Sequence, residues 1–214
     1  MKITLVLLIA LLLFVGCSST RSNTPPPPKQ YDQLMLTYTP FQEPMVQRQI
    51  PIVFMQVDAS NSGRYEADRS LVPFAEHSLC FGNYDLSEDP DRPNTKILKD
   101  VPEGSDIAPI RACVTINDKE GTNAASPLQP GIYIVGLTDR MPDAIAHAGI
   151  YWDKGKLGCV SIFHLKRMKG QLRLDSVSED SLSGEVDLSD GQNSIVGTFN
   201  GKAKIKKYIV LPMH

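Results

Sequence analysis

Cys159, with His164 five residues beyond it and His147 in the segment before it, is the pairing in this chain best suited to nucleophilic chemistry. A cysteine attacks as its thiolate, so a neighbouring base must take the proton. His147 with Asp139 or Asp143 as orienter would serve, whereas an offset of five on a regular strand puts His164 on the opposite face from Cys159. By residue type, His77 and Cys80 together with Cys159 and His164 also make up four zinc ligands. Their spacing is that of no zinc finger, and strand offsets of three and five again separate the partners, so ordinary core and surface roles are favoured. Glu88, Asp89 and Asp91 offer oxygens but lack the twelve-residue calcium-loop pattern, and they read as a solvated loop. No Gly-x-Ser-x-Gly, Ser-x-x-Lys, His-Glu-x-x-His or glycine-rich phosphate loop occurs. The expectation is therefore a protein without metal or cofactor that is not an enzyme, with a Cys159–histidine thiol enzyme or hydrolase as the alternative.

Two further side-chain groups bear on binding. Lys202, Lys204 and Lys206 alternate with Ala203 and Ile205, and period two puts the three ammonium groups on one strand face with Lys207 on the other. Such lysines protect a sheet edge against aggregation. The functional alternative is an anion-facing patch for lipid headgroups, glycans or an acidic partner, joined by Lys166, Arg167 and Lys169; edge protection is favoured. Tyr133, Tyr151, Trp152 and Phe163 would line an apolar cavity if a curled sheet enclosed one, which would make the protein a carrier of a small apolar ligand.

The elements that must position these residues read as strands. From about Met35, short apolar and β-branched runs are cut by Gly, Pro, Asn and Asp. Residues 50–57 read as a strand buried on both faces, 109–117 and 131–138 as two more, and 58–69, 85–93 and 118–130 as loops. Residues 141–149 are the one helix candidate, with Asp143 as cap before Ala-Ile-Ala-His-Ala. The C-terminal third repeats strand and turn: 148–152, 157–166, 171–177, 182–188, 194–199 and 202–210 form a six-stranded antiparallel meander, with Asp190-Gly191 and Asn200-Gly201 among its turns. Ser181–Val186 and Ser194–Phe199 share a glycine at the fourth place, Gly184 and Gly197, which marks bulges or sharp curvature. The fold class expected is mainly β, an antiparallel sandwich or a partly closed barrel.

At the N-terminus, Lys2 precedes an apolar run over residues 3–15 that ends in Val15-Gly16-Cys17 and polar Ser18-Ser19-Thr20. Thirteen residues of helix rise about 20 Å, short of the roughly 30 Å hydrocarbon core, so the run is an export signal rather than a span. It resembles the signal of bacterial lipoproteins, although Phe14 stands where that family usually has leucine. The resemblance implies removal of residues 1–16, diacylglycerol and a further acyl chain on Cys17, and membrane attachment through that lipid. Ser18, which is not aspartate, implies transfer to the outer membrane, facing the periplasm, in a Gram-negative cell. Residues 17–30, with Pro25 to Pro28, then form the anchor and a stiff tether, and 31–214 a single mainly β domain.

The 22 basic and 24 acidic side chains nearly cancel, so no global field draws the chain to nucleic acid. The partners expected are the membrane and an envelope protein or glycan. Besides Cys17 there are three cysteines in a compartment that oxidises thiols. One disulfide with one spare thiol is the simplest arithmetic, Cys80 with Cys113 being the favoured pair because both lie in strand-like runs; three reduced, buried cysteines are the alternative.

Overall fold

Apolar side chains that recur every second residue can be hidden only by laying strands into sheets and pressing two such sheets together. This chain does so throughout. The computed structural model describes residues 32–40, 44–89, 92–99, 109–154 and 157–207, with the backbone alone for 85–89, 92–99, 153–154, 157–159 and 206–207. Cys17, the tether 17–30 and Asp91 lie outside them.

Among the described residues the strands are β1 (Gln33–Tyr38), β2 (Val46–Pro51), β3 (Phe54–Tyr65), β4 (Leu71–Gly82), β5 (Asp85–Asp89), β6 (Arg92–Lys99) and β7 (Ile110–Asn117). They continue with β8 (Gly131–Ile134), β9 (Ala144–Lys154), β10 (Leu157–Ile162), β11 (Lys169–Val177), β12 (Ser181–Ser189), β13 (Ser194–Lys202) and β14 (Lys204–Lys207). A single 3-10 turn, Leu165–Arg167, separates β10 from β11. The first sheet runs β2-β1-β13-β12-β11-β8 and the second β10-β9-β7-β4-β3-β14, while β5 and β6 pair by themselves. Pairing within both sheets is antiparallel except for β14, which lies parallel to β3.

The protein is thus mainly β and built as a sandwich; the sheets do not close into a barrel. Leu34, Leu36, Leu172, Val186, Leu188 and Ile195 of the first sheet and Val57, Leu79, Val114 and Ile150 of the second form one buried core. Tyr38 meets Trp152 and Phe81 meets Phe199 across the two layers, each with ring centroids 4.7 Å apart. All of the described residues fall within one compact unit, Tyr31–His214.

Each of the six C-terminal runs contains a strand, but the strands divide between the layers. β9 and β10 pair in the second sheet, β11, β12 and β13 make a meander in the first, and β14 returns to the second. Asn200-Gly201 is not a turn, because Ser183↔Asn200 and Leu182↔Gly201 continue the β12–β13 ladder. The break comes at buried Ala203, whose N–H donates to the Asp180 carbonyl at 2.7 Å. Gly184 and Gly197 do mark close approach. A Cβ on Gly184 would lie 2.0 Å from the Arg173 carbonyl, and one on Gly197 2.3 Å from that of Gln33. β11 is bulged between Leu174 and Ser176, opposite Gly184.

Several segments differ from expectation, and the runs 131–138 and 157–166 are strand only through Ile134 and Ile162. The run 50–57 is interrupted after Pro51 and resumes at Phe54. Residues 58–65 extend β3 instead of looping, since β4 supplies a partner for each of them through Tyr65↔Leu71. Within 85–93, 85–89 is strand β5, paired with β6, so Glu88 and Asp89 lie on a strand rather than in a loop.

The helix expected at 141–149 is absent; Ala144 onward is strand β9. The register with β7 goes from Thr115↔His147 to Ile116↔Ile145, leaving Ala146 as an extra residue, a β-bulge. That bulge lets Ile145 and Ala148 both enter the core although they are three apart. Apolar spacing of three imitates a helix. Asp143, with φ 54°, sits in the left-handed region before β9 rather than capping a helix.

Candidate functional site

The bulge in β9 also turns two consecutive residues, Ala146 and His147, away from the core. They line a hollow of about 420 Å³ on the outer face of the second sheet with Thr115, Glu76 and Ser62. Each comes from a different strand, except for the adjacent pair, because period two aligns every second side chain of β3, β4 and β7 on that face. Thr115 pairs directly with His147. The floor is therefore rigid sheet, and its side chains are hydroxyls, a carboxyl and an imidazole. Burial pushes the Glu76 carboxyl up and the His147 imidazole down, since each loses the water that would hydrate its charged form.

Asp139 and Arg140 close one side of the hollow and also line a neighbouring groove of about 600 Å³ with Arg64, Tyr65, Leu137 and Met141. This wall is a loop, and a buried amide fixes it. Asn117, fully enclosed at the end of β7, donates from Nδ2 to the carbonyls of Asp139 and Met141 at 3.0 Å each. The Met141 N–H donates to the Thr138 carbonyl, the Gly136 N–H to Ile145 and the Asp143 N–H to Asp118. Together these five hydrogen bonds fix the backbone of a short loop.

On the groove side, Tyr65 and Leu137 are 69% and 88% exposed. Arg64 is already engaged: Nη2 lies 2.6 Å from Glu120 and 3.0 Å from Glu66. Beside the hollow, Cys80 and Cys113 face each other across β4 and β7 and are joined by a disulfide. They lie on the same sheet face as Thr115, two residues from Cys113.

The residues singled out from the sequence are dispersed. Cys159 pairs with Trp152 in the β9–β10 ladder, five positions along β9 from His147, or roughly 17 Å at strand rise. A Cys159–His147 dyad with Asp139 is therefore not assembled; Asp139 and His147 do share the hollow. The His164 N–H donates to Asp190 Oδ2 at 2.8 Å. His77 points into the core, and Cys80 is a half-cystine, so that pair offers no zinc thiolate. Among the described residues no His, Cys, Asp and Glu group has the geometry of a metal site.

The lysine stripe is broken at Ala203. Lys202 ends β13 in one sheet, and Lys204 begins β14 in the other, where its Nζ lies 5.4 Å from the centre of the Phe54 ring. The Lys206 side chain lies outside the described residues. β14 is the outermost strand of its sheet, the place where lysine protects an edge. Tyr133, Trp152 and Phe163 are core residues, whereas Tyr151 lies on the opposite face with Arg111 4.9 Å from its ring centre. They do not line a common pocket.

Sequence reasoning missed Glu76, Thr115, Ser62, Arg140 and Asn117. The available signal was polar alternation, Glu76 and Ser78 between buried Ala75, His77 and Leu79, and it names a sheet face without naming its neighbours. No family model, curated protein or solved structure matches the chain.

Proposed function

We propose that this chain is a lipid-anchored protein of the bacterial cell envelope whose β-sandwich acts as a non-enzymatic binding or assembly module. Cys17 carries the lipid, residues 17–30 hold the domain off the membrane surface, and the outer membrane facing the periplasm is the site in a Gram-negative cell. The disulfide between Cys80 and Cys113 carries the reading. Structural disulfides persist in oxidising compartments, and the export signal would deliver the chain to one. The cleft on the same sheet face supports the binding role, since it combines an apolar wall with a few convergent polar groups.

The test is metabolic labelling with palmitate alongside fractionation of the envelope. Label should enter the protein and vanish in Cys17→Ser, which should also leave the membrane fraction. Membrane attachment and an unmodified N-terminus by intact mass would overturn the anchor. Cys80 and Cys113 found reduced in protein isolated from its own compartment would remove the argument for export.

A further inference from the structure

We infer that the cleft bordered by Asp139 and Arg140 binds an uncharged, polyhydroxylated chain, a neutral oligosaccharide. The inference rests on the binding-module reading above and specifies its ligand.

Charge decides against the main alternatives. Arg64 is occupied by Glu66 and Glu120, and Arg140 and Asp139, which line both hollows, cancel in formal charge, so the cleft has no cluster of cations to recognise a phosphate, a sulfate or an acidic peptide. The one further carboxyl, Glu76, is half-buried, which opposes its ionisation, and alone it makes no strong field for a cationic ligand.

What remains is hydrogen-bonding capacity without net field. Ser62 and Thr115 each donate and accept, His147 held neutral by burial does both through its two nitrogens, and Glu76 and Asp139 accept. Vicinal hydroxyls of a sugar present the complementary set. A pyranose also has a flat C–H face, and the neighbouring groove provides its counterpart in the exposed Tyr65 ring, Leu137 and Met141. A polar floor beside an apolar wall matches a molecule that is polar at its rim and apolar on its faces. The two hollows share Asp139 and Arg140, so a chain of rings can run from one into the other.

The full-length acylated protein, held in phosphatidylcholine nanodiscs free of sugar detergent, is titrated calorimetrically with four probes. These are β-linked glucose and N-acetylglucosamine tetrasaccharides, a tetragalacturonate and tetralysine. A neutral tetrasaccharide should bind, Tyr65→Ala should weaken it about five- to tenfold, and Thr115→Val severalfold, with the disulfide intact and circular dichroism unchanged. Preference for tetragalacturonate or tetralysine, neutral binding indifferent to both substitutions, or no binding by either neutral probe overturns the inference. Release of new reducing ends would uphold the ligand class and overturn the non-enzymatic role. Loss of palmitate labelling with sugar binding retained would fell the anchor alone.

Discussion

At the scale of single residues, a costly arrangement is the His77–Asp118 pair, enclosed between the middle of β4 and the end of β7. Nε2 and Oδ2 lie 3.7 Å apart, and neither atom has a hydrogen bond. Burial lowers the His77 pKa against the pull of Asp118. Tyr133, which donates to the Gln129 carbonyl, is pushed up to about 12 by burial and by Asp118 and Asp143. Because the folded imidazole binds its proton less readily than an unfolded one at 6.5, the unfolded chain takes up protons first. Stability is full above that value and declines as pH falls below it; His147, lowered by burial, adds to the slope. Urea midpoints measured from pH 7.5 to 5.5 should fall, and His77→Gln should flatten the decline. Replacing His77 by leucine removes neither an ion pair nor a hydrogen bond at pH 7.5 and should cost less than about 1.5 kcal/mol in urea unfolding there.

At the scale of elements, side chains at turns tie the two sheets together. The turn after β12 is closed by Asp190. Burial pushes its carboxyl up, but N–H groups of His164, Asn193 and Gln192 outweigh that and hold it below the ordinary range. Since His164 follows β10, the turn of one sheet is bonded to the edge of the other, and Ser161 Oγ to Asn193 Oδ1 at 2.6 Å repeats the link. Asp190→Ala should cost roughly 3 kcal/mol and speed amide exchange at His164. Asn117→Ala frees the loop at 138–141 and should cost about 2 kcal/mol while weakening whatever the cleft binds, which a melt and a titration read together. The Asp190-Gly191 turn was legible because its chemistry is local. The strand β9 was not, because a bulge puts Ile145 and Ala148 at helical spacing and the reason for the bulge lies in β7. Likewise Lys202 and Lys204 seem one stripe until Ala203 carries the chain across to the other sheet. The cleft was the least legible part: His147 and Asp139 stood out as titratable, but Glu76, Thr115 and Ser62 meet them only through pairing between distant strands.

At the scale of the whole molecule, the disulfide closes a sequence separation of 33 residues and joins β4 to β7, the two strands that carry Glu76 and Thr115. Chain entropy sets its contribution near 4 kcal/mol, so reduction should lower the urea midpoint by a corresponding amount and weaken cleft binding. β1 pairs with β2 on one side but reaches the rest of its sheet only through the late strand β13, and β3 receives β14 along its free edge. Chains ending at residue 190 would lack both β13 and β14, leaving β1 and β2 cut off from β12, and should show no cooperative melt. Topology of this kind delays closure of the core until nearly all of the polypeptide is present, because non-local pairings carry the loop-closure cost first. A nascent chain with that wiring stays pliable while it is being made. Were the chain exported unfolded, as the proposed anchor would require, such late assembly would be protective, because the two sheets would close only after passage.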